Sequence, residues 1–183
     1  MAELLRTERL IIRDWDDDDA GAALSVYGHT EVSRWLAPAL DTVTDEPAMR
    51  ELLREWVADT ADGEGGLGHW AITRADTGVL VGGVSLHLLP VEEQDVEIGY
   101  QIAPEHWGNG FATEAARHVI QRAFGMDVDE VFALVRPANA RGEATARRLD
   151  MTWVGETEKY YGMRLAVYRL RPSDGVAGSF PEE

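Results

Sequence analysis

The chain has 183 residues, no cysteine and a single lysine, Lys159. The missing cysteines exclude disulfides, thiolate metal sites and a cysteine nucleophile. Basic residues are scarce: 17 Lys and Arg stand against 33 Asp and Glu, for a net charge of −16. A basic surface for phosphate contacts is therefore absent, and nucleic acid is not an expected partner. The acids keep the surface soluble and mildly favour cationic substrates such as amines. There is no run of about 18 apolar residues, so no membrane span is expected. The segment Met1-Ala2-Glu3-Leu4-Leu5-Arg6 lacks the basic region and long apolar stretch of a signal peptide. The expected location is the cytoplasm.

Metal signatures are missing too. His69, His87, His106 and His118 have no ligand spacing, and the run from Asp14 to Asp19 lacks the spaced ligands and turn glycine of a calcium loop. No metal is expected. His106 precedes a glycine loop and is placed to cap or contact it. A Ser-His-Asp hydrolase lacks its nucleophile elbow. Internal repeats and long linkers are also absent. Residues 1–171 are expected to form one domain around one core, with 172–183 a flexible C-terminal tail rich in Gly, Pro and acids.

What is present is alternating strand and helix periodicity. A strand is expected over residues 4–13, then a helix over 20–27 and a short one near 32–36. Asp45-Glu46-Pro47 opens a longer helix with Met49, Leu52, Leu53, Trp56 and Val57 on one face. Strands are expected over 69–74 and 79–87. Val96, Ile98, Tyr100 and Ile102 alternate with Glu97, Gly99 and Gln101 in another. A helix to about residue 124 carries the stripe Ala112, Ala116, Val119, Ile120 and Ala123. Strand 130–136, helix 141–149 and a hairpin from 153–158 to 165–170 complete a mixed α/β sheet.

Between strand 96–103 and its helix lies Trp107-Gly108-Asn109-Gly110-Phe111-Ala112-Thr113-Glu114-Ala115. Glycines at a helix start offer bare N–H groups to an anion at the positive end of the dipole. Thr113 is a potential capping hydroxyl. No Gly-Lys-Ser/Thr follows, so this is no P-loop. Glu114 stands where a dinucleotide fingerprint needs its third glycine. A pyrophosphate-bearing coenzyme bound in neither of those ways remains.

These residues, together with Thr7-Glu8-Arg9-Leu10-Ile11-Ile12-Arg13, Val96-Glu97-Ile98-Gly99-Tyr100 and Asn139 before a helix, resemble a GNAT acetyltransferase. The resemblance runs over residues 4–171 and is nearest the branch of ribosomal-protein N-terminal acetyltransferases. It implies an α/β GNAT fold: a mixed, mostly antiparallel central sheet, splayed at a bulge and flanked by helices. It implies acetyl-CoA as co-substrate, with pantetheine along the backbone of Gln101, Ile102 and Ala103. The pyrophosphate would sit on the N–H groups of Gly108, Asn109, Gly110, Phe111, Ala112 and Thr113. Trp107 would pack under the loop or touch the cofactor. Asn139 would bond pantetheine or position the next helix, and Arg147 would reach a CoA phosphate or stay solvated.

Glu97, an acid in an otherwise apolar strand, is the candidate catalytic base, and it matches a strand glutamate that plays this part in several GNAT enzymes. Glu156, Glu158, Tyr160 and Tyr161 are secondary candidates. The branch's serine three residues after the asparagine is here Gly142, and helix 141–149 has no tyrosine to act as acid. The implied reaction is acetyl transfer to a primary amine, a protein N-terminus or a small molecule, by direct attack. A backbone N–H near Gln101 or Ile102 would hold the oxyanion. Trp35, Trp70 and helix 45–61 would shape the acceptor wall. Alternatives are a CoA-binding sensor or interaction module with little catalysis, or a succinyl-CoA-type acyltransferase. A homodimer is compatible with the branch.

Overall fold

The computed structural model describes residues 3–62, 66–90 and 95–174. Eight strands form one sheet in the order β1-β2-β3-β4-β5-β6-β8-β7. They are β1 (Glu3–Arg6), β2 (Leu10–Asp14), β3 (Gly68–Arg74), β4 (Leu80–Leu88), β5 (Val96–Ile102), β6 (Val131–Val135), β7 (Thr152–Thr157) and β8 (Leu165–Leu170). Neighbours are antiparallel except β5 and β6, which are parallel. Helices α1 (Ala20–Tyr27), α2 (Thr30–Ser33), α3 (Glu46–Asp62), α4 (Phe111–Phe124) and α5 (Ala140–Arg148) pack around it.

Strand parity divides the core into two layers. Val96, Ile98 and Ile102 of β5 bury against Ala115, Ala116, Val119 and Ile120 of α4. Each large apolar side chain buried there contributes roughly 1.5–3 kcal/mol. On the other face, Tyr27 of α1 and Met49, Leu53 and Trp56 of α3 form a second cluster with Trp15 and Ala71. Glu97, Gly99 and Gln101 turn to this face, where the Tyr27 hydroxyl donates to Gln101 Oε1 at 3.3 Å.

The parallel pair β5–β6 holds at only two positions, Val96 with Val131 and Glu97 with Phe132. Beyond them β5 stays with β4 up to Ile102, while β6 stays with β8 up to Val135. The two halves of the sheet separate and a wedge opens. The β4–β5 and β6–β8 ladders keep a continuous register on either side of the wedge, and the register shift next to it is in β4 against β3, between Gly82 and Leu80. Glu97 sits at the apex of the wedge, where its Oε1 accepts the Leu134 N–H at 3.3 Å. The side chain thus takes a backbone donor that β5 no longer reaches.

Local differences from the sequence expectations have physical causes. The single strand expected over residues 4–13 is two strands, because Thr7 reverses the chain. Its N–H donates to Leu10 O and its hydroxyl accepts from Leu10 N, both at 2.9 Å. Helix α4 starts at Phe111, and its N-cap is Gly110 at φ +78°, so Thr113 lies inside the first turn and does not cap. Phe111 and Ala115 complete the buried stripe, whereas Ala112 is half-buried and faces the wedge. The short helix α2 starts at Thr30, capped by His29 Nδ1 accepting from Glu31 N. The expected tail falls mostly on 175–183, outside the described residues.

Candidate active site

The wedge continues into a cleft of about 840 Å³ bounded by both helix layers and both sheet halves. Its first wall is the glycine loop. Gly108 and Gly110 both have φ +78°. A Cβ on Gly108 would meet nothing within 4 Å, so the left-handed backbone, not crowding, calls for glycine there. No side chain caps α4. The N–H groups of Phe111, Ala112 and Thr113 therefore have neither an intrahelical nor a side-chain acceptor, and they open on the positive end of the dipole, whereas Glu114 N donates to Gly110 O at 3.0 Å. The Asn109 amide holds the turn by donating to His106 O at 2.9 Å and Trp107 O at 3.2 Å.

Trp107 packs beneath the loop. Its indole N–H donates to Ile102 O at 2.7 Å, and Arg141 lies 3.9 Å above its ring. Gln101, Ile102 and Ala103 follow at the end of β5, where Ala103 N bonds toward the β4 side, donating to Val81 O at 2.9 Å. Asn139 is the N-cap of α5, its Oδ1 accepting Gly142 N at 3.1 Å. A Cβ on Gly142 would come within 2.8 Å of Asn139 Nδ2 and 3.0 Å of Val135 Cγ1. A larger residue there requires the Asn139 amide or Val135 to shift. The Tyr100 hydroxyl donates to Gly142 O at 3.0 Å, tying β5 to α5 across the wedge. Burial pushes the Tyr100 phenol up, with Glu97 and Tyr168 adding to it.

Arg147 is exposed, paired with Glu143 at 3.2 Å, and does not line the cleft. Arg141 and Arg148 do. They lie seven residues apart, two turns along one face of α5, which is the spacing that marks them in the sequence. Arg9 was also missed. Its Nη1 donates to Asn109 O at 3.0 Å and its Nε to Glu114 Oε2 at 2.7 Å. Glu114 also accepts from the Thr7 hydroxyl at 2.5 Å. Burial opposes ionisation of Glu114, but the bonds from Thr7 and Arg9 outweigh it and hold its pKa below the usual value.

The cleft floor lies at the apex. Glu97 Oε2 meets His87 Nε2 at 3.1 Å, and the two are cross-strand partners on β5 and β4. His87 Nδ1 is 3.5 Å from Ser85 Oγ. His87 stacks on His69, with centroids 5.9 Å apart, and His69 stacks on Trp56 at 5.1 Å. Burial, and secondarily the neighbouring His87, lower the His69 pKa to about 4. These histidines escape a spacing search because strand register, not sequence distance, brings them together.

The depressed pKa of His69 has a stability consequence. The unfolded chain protonates this imidazole near its ordinary value of 6.5 and the folded one near 4. Stability is therefore lost as pH falls through that window, by up to about 3 kcal/mol for this group. His69→Phe is expected to flatten urea-unfolding free energies between pH 6.5 and 4; an unchanged slope would refute this.

The outer wall carries Trp35, Trp56 and Tyr161. Trp35 is flanked by Arg34 at 4.7 Å and Arg136 at 5.9 Å. Trp70 is not there: it shares a face of β3 with Ile72 and is buried in the α4-side core, so His69 and Trp56 line the wall instead. Tyr161 lines the cleft, its pKa pushed up to about 12 by burial and by Glu97 and Tyr160. Tyr160 is buried beside Leu89 and Leu165, Glu156 pairs with Arg164, and Glu158 is outside the lining. Among the described residues no helix is long and apolar enough to cross a membrane, and no three His, Asp or Glu side chains gather as a metal site would need.

Comparison with known proteins gives this geometry its family. The chain is 34% identical over 161 residues to the uncharacterized N-acetyltransferase YoaA of Bacillus subtilis (strain 168), covering 87% of this chain and 89% of that protein. Its fold is similar to that of the GNAT-family acetyltransferase of Bacillus anthracis, with a TM-score of 0.76 and 20% identity over 91% of this chain and 97% of the other. It is also similar in fold to a ribosomal L7/L12 alpha-N-protein acetyltransferase, RimL, solved with coenzyme A. There the TM-score is 0.71 and identity 16%, over 93% of this chain and 98% of the other. The family model described as "Acetyltransferase (GNAT) domain" matches residues 9–152, from the Arg9 clamp to the first residue of β7, and the chain belongs to that family of acyl-CoA-dependent N-acetyltransferases.

Proposed function

We propose that the cleft transfers an acetyl group from acetyl-CoA to a primary amine by direct attack within a ternary complex. The observation that carries this reading is the uncapped start of α4, with its left-handed glycines, opening onto a splay that has an acid at its apex. Bound acetyl-CoA supplies a thioester carbonyl for the amine to attack. The N–H groups from Gly108 to Thr113 suit a pyrophosphate without cationic side chains, which fits a chain of charge −16. Arg141 and Arg148 stand beside that loop on the cleft wall for further phosphate contacts. Gln101, Ile102 and Ala103 offer the pantetheine edge, with Ile102 O already held by Trp107. Asn139 orders α5 against this edge. An N–H near Gln101 or Ile102 is the oxyanion donor.

The acceptor is a protein N-terminus or a small-molecule amine, entering by the wall of Trp35, Trp56 and Tyr161. Glu97 anchors the proton-accepting centre. Homodimer formation and a cytoplasmic location belong to the same reading.

The test is thiol release from acetyl-CoA and from succinyl-CoA across a panel of amines, with CoA binding measured by calorimetry. Turnover with acetyl-CoA and at least one amine, at a rate reduced at least 100-fold in Glu97→Gln, is the expected result. Tight CoA binding without turnover on any amine would favour a sensor or interaction module.

A further inference from the structure

We infer that His87, not the Glu97 carboxylate directly, takes the proton from the acceptor ammonium, and that Glu97 acts through it as a positioning residue. This rests on the acetyltransferase reading above and assigns the proton-accepting atom within it.

The geometry of Glu97 leads here. Its Oε1 accepts the Leu134 N–H and its Oε2 faces His87 Nε2. Both oxygens are engaged in holding the apex together, and the side chain is only 12% exposed. His87 is 34% exposed and lines the cleft. A carboxylate that accepts on both oxygens requires Nε2 to carry the hydrogen, which leaves the lone pair of the neutral ring on Nδ1. Nδ1 faces Ser85 Oγ at 3.5 Å, a separation at the limit of a hydrogen bond. The neighbouring strand offers Gly99 at this point. A Cβ there would lie 2.5 Å from Ser85 Oγ and 3.9 Å from His87 Cε1. Glycine leaves the space beside the ring open to the cleft.

The groups facing His87 are few. His69 from β3 stacks on it and is neutral near pH 7, so it adds no competing charge. Ser85 shares its strand, and Glu97 comes from β5. Tyr161 on the cleft wall, and Tyr100 on the other face of β5, are held as neutral phenols by burial first and by the Glu97 charge second. A positive imidazolium formed at His87 is therefore met by one carboxylate.

The step balances as follows. The ammonium loses one proton to His87 Nδ1. The freed amine nitrogen attacks the thioester carbonyl carbon, forming C–N and a tetrahedral oxyanion, whose collapse breaks C–S. The second proton passes from nitrogen to the departing sulfur, giving amide and thiol. His87 then returns its proton to solvent.

The experiment uses full-length protein with glycinamide and phenethylamine as acceptors, and reads the histidine ring nitrogens by NMR without any acceptor. The expected spectrum shows neutral His87 as the Nε2–H tautomer. In Glu97→Gln it becomes a mixture of tautomers, while CoA binding, the control for folding, is kept. With acetyl-CoA, His87→Gln is expected to lower kcat about 100- to 1,000-fold and to abolish the acid limb of the kcat/KM profile. The double variant with Glu97→Gln should lose little more than either single one, because the two act as a unit. An Nδ1–H tautomer in the native protein overturns the assignment, as does an acid limb that survives in His87→Gln. Failure of both amines and of every other acceptor instead defeats the acetyl-transfer reading, and the tautomer still decides the dyad.

Discussion

Gly82→Ala is expected to lower the melting temperature by roughly 6–12 °C and to weaken CoA binding at least tenfold. A Cβ on Gly82 would lie 2.0 Å from Gln101 O and 2.9 Å from Ile102 Cδ1. The first of these is a backbone atom of the neighbouring strand, locked in register with Gly82 opposite Ile102. It has no rotamer by which to move away. The strands must separate, and forced overpacking of this kind costs about 3 kcal/mol, the upper part of its usual range. For a domain of this size each kcal/mol shifts the midpoint by about 2–4 °C. The carbonyl faces β4, but its displacement moves the strand whose backbone is proposed for pantetheine, so binding suffers along with stability.

Two other glycines make the comparison informative. A Cβ on Gly99 would lie 2.5 Å from Ser85 Oγ, a side-chain atom able to rotate, so Gly99→Ala is expected to cost less. Gly78 has φ +70° and open space around it, so Gly78→Ala carries only left-handed strain of about 1–2 kcal/mol. Calorimetric melting of the three variants orders them Gly82 worst. If Gly82→Ala melts within a degree of the native protein, the close approach of β4 to β5 is not what demands glycine there.

The glycine loop, the alternation of strand 96–102 and the order of elements were legible because each is local. A helix start, a period of two and a turn signal all lie within ten or so residues. The site floor could not be read from spacing. His87 and Glu97, ten residues apart, meet because β4 and β5 pair Leu88 with Val96 and His87 with Glu97. Trp70 went to the wrong wall for the same reason, since one step along β3 exchanges the two faces of the sheet. Asn139 was visible before its helix, but its cap on Gly142 N and the closeness of Gly142 to Val135 on the preceding strand needed the fold. Arg9 lies a hundred residues from Asn109, and only the packing of the β1–β2 turn against the start of α4 brings them together.

That distant clamp yields the second large effect. Arg9→Ala is expected to weaken CoA binding about 10- to 30-fold, and adding Glu114→Ala is expected to restore most of the loss. Glu114 places a carboxylate in the first turn of α4, beside the N–H groups proposed for the pyrophosphate. Alone it would repel the ligand it adjoins. Arg9 neutralises it, at 2.5 Å in the ion pair, and at the same time ties Asn109 O and covers the Phe111 ring at 5.1 Å. Removing Arg9 leaves a carboxylate only 13% exposed without its counter-charge, and about 1–2 kcal/mol of repulsion acts on an anion at the loop. Removing Glu114 as well eliminates that charge. Stability follows the opposite course, because the double variant also loses the Thr7 and Arg9 bonds that hold the β1–β2 turn to α4. The sign of the pH effect agrees. A carboxylate held below its ordinary value of 4.5 adds stability above that pH and loses it as pH falls through the folded value, and this acid-side slope should diminish in Glu114→Ala. Calorimetric titration of CoA at low and high salt checks the electrostatic part, since screening should shrink the Arg9→Ala deficit. If the double variant binds CoA no better than Arg9→Ala, Arg9 serves the loop through Asn109 and Phe111 rather than by neutralising Glu114.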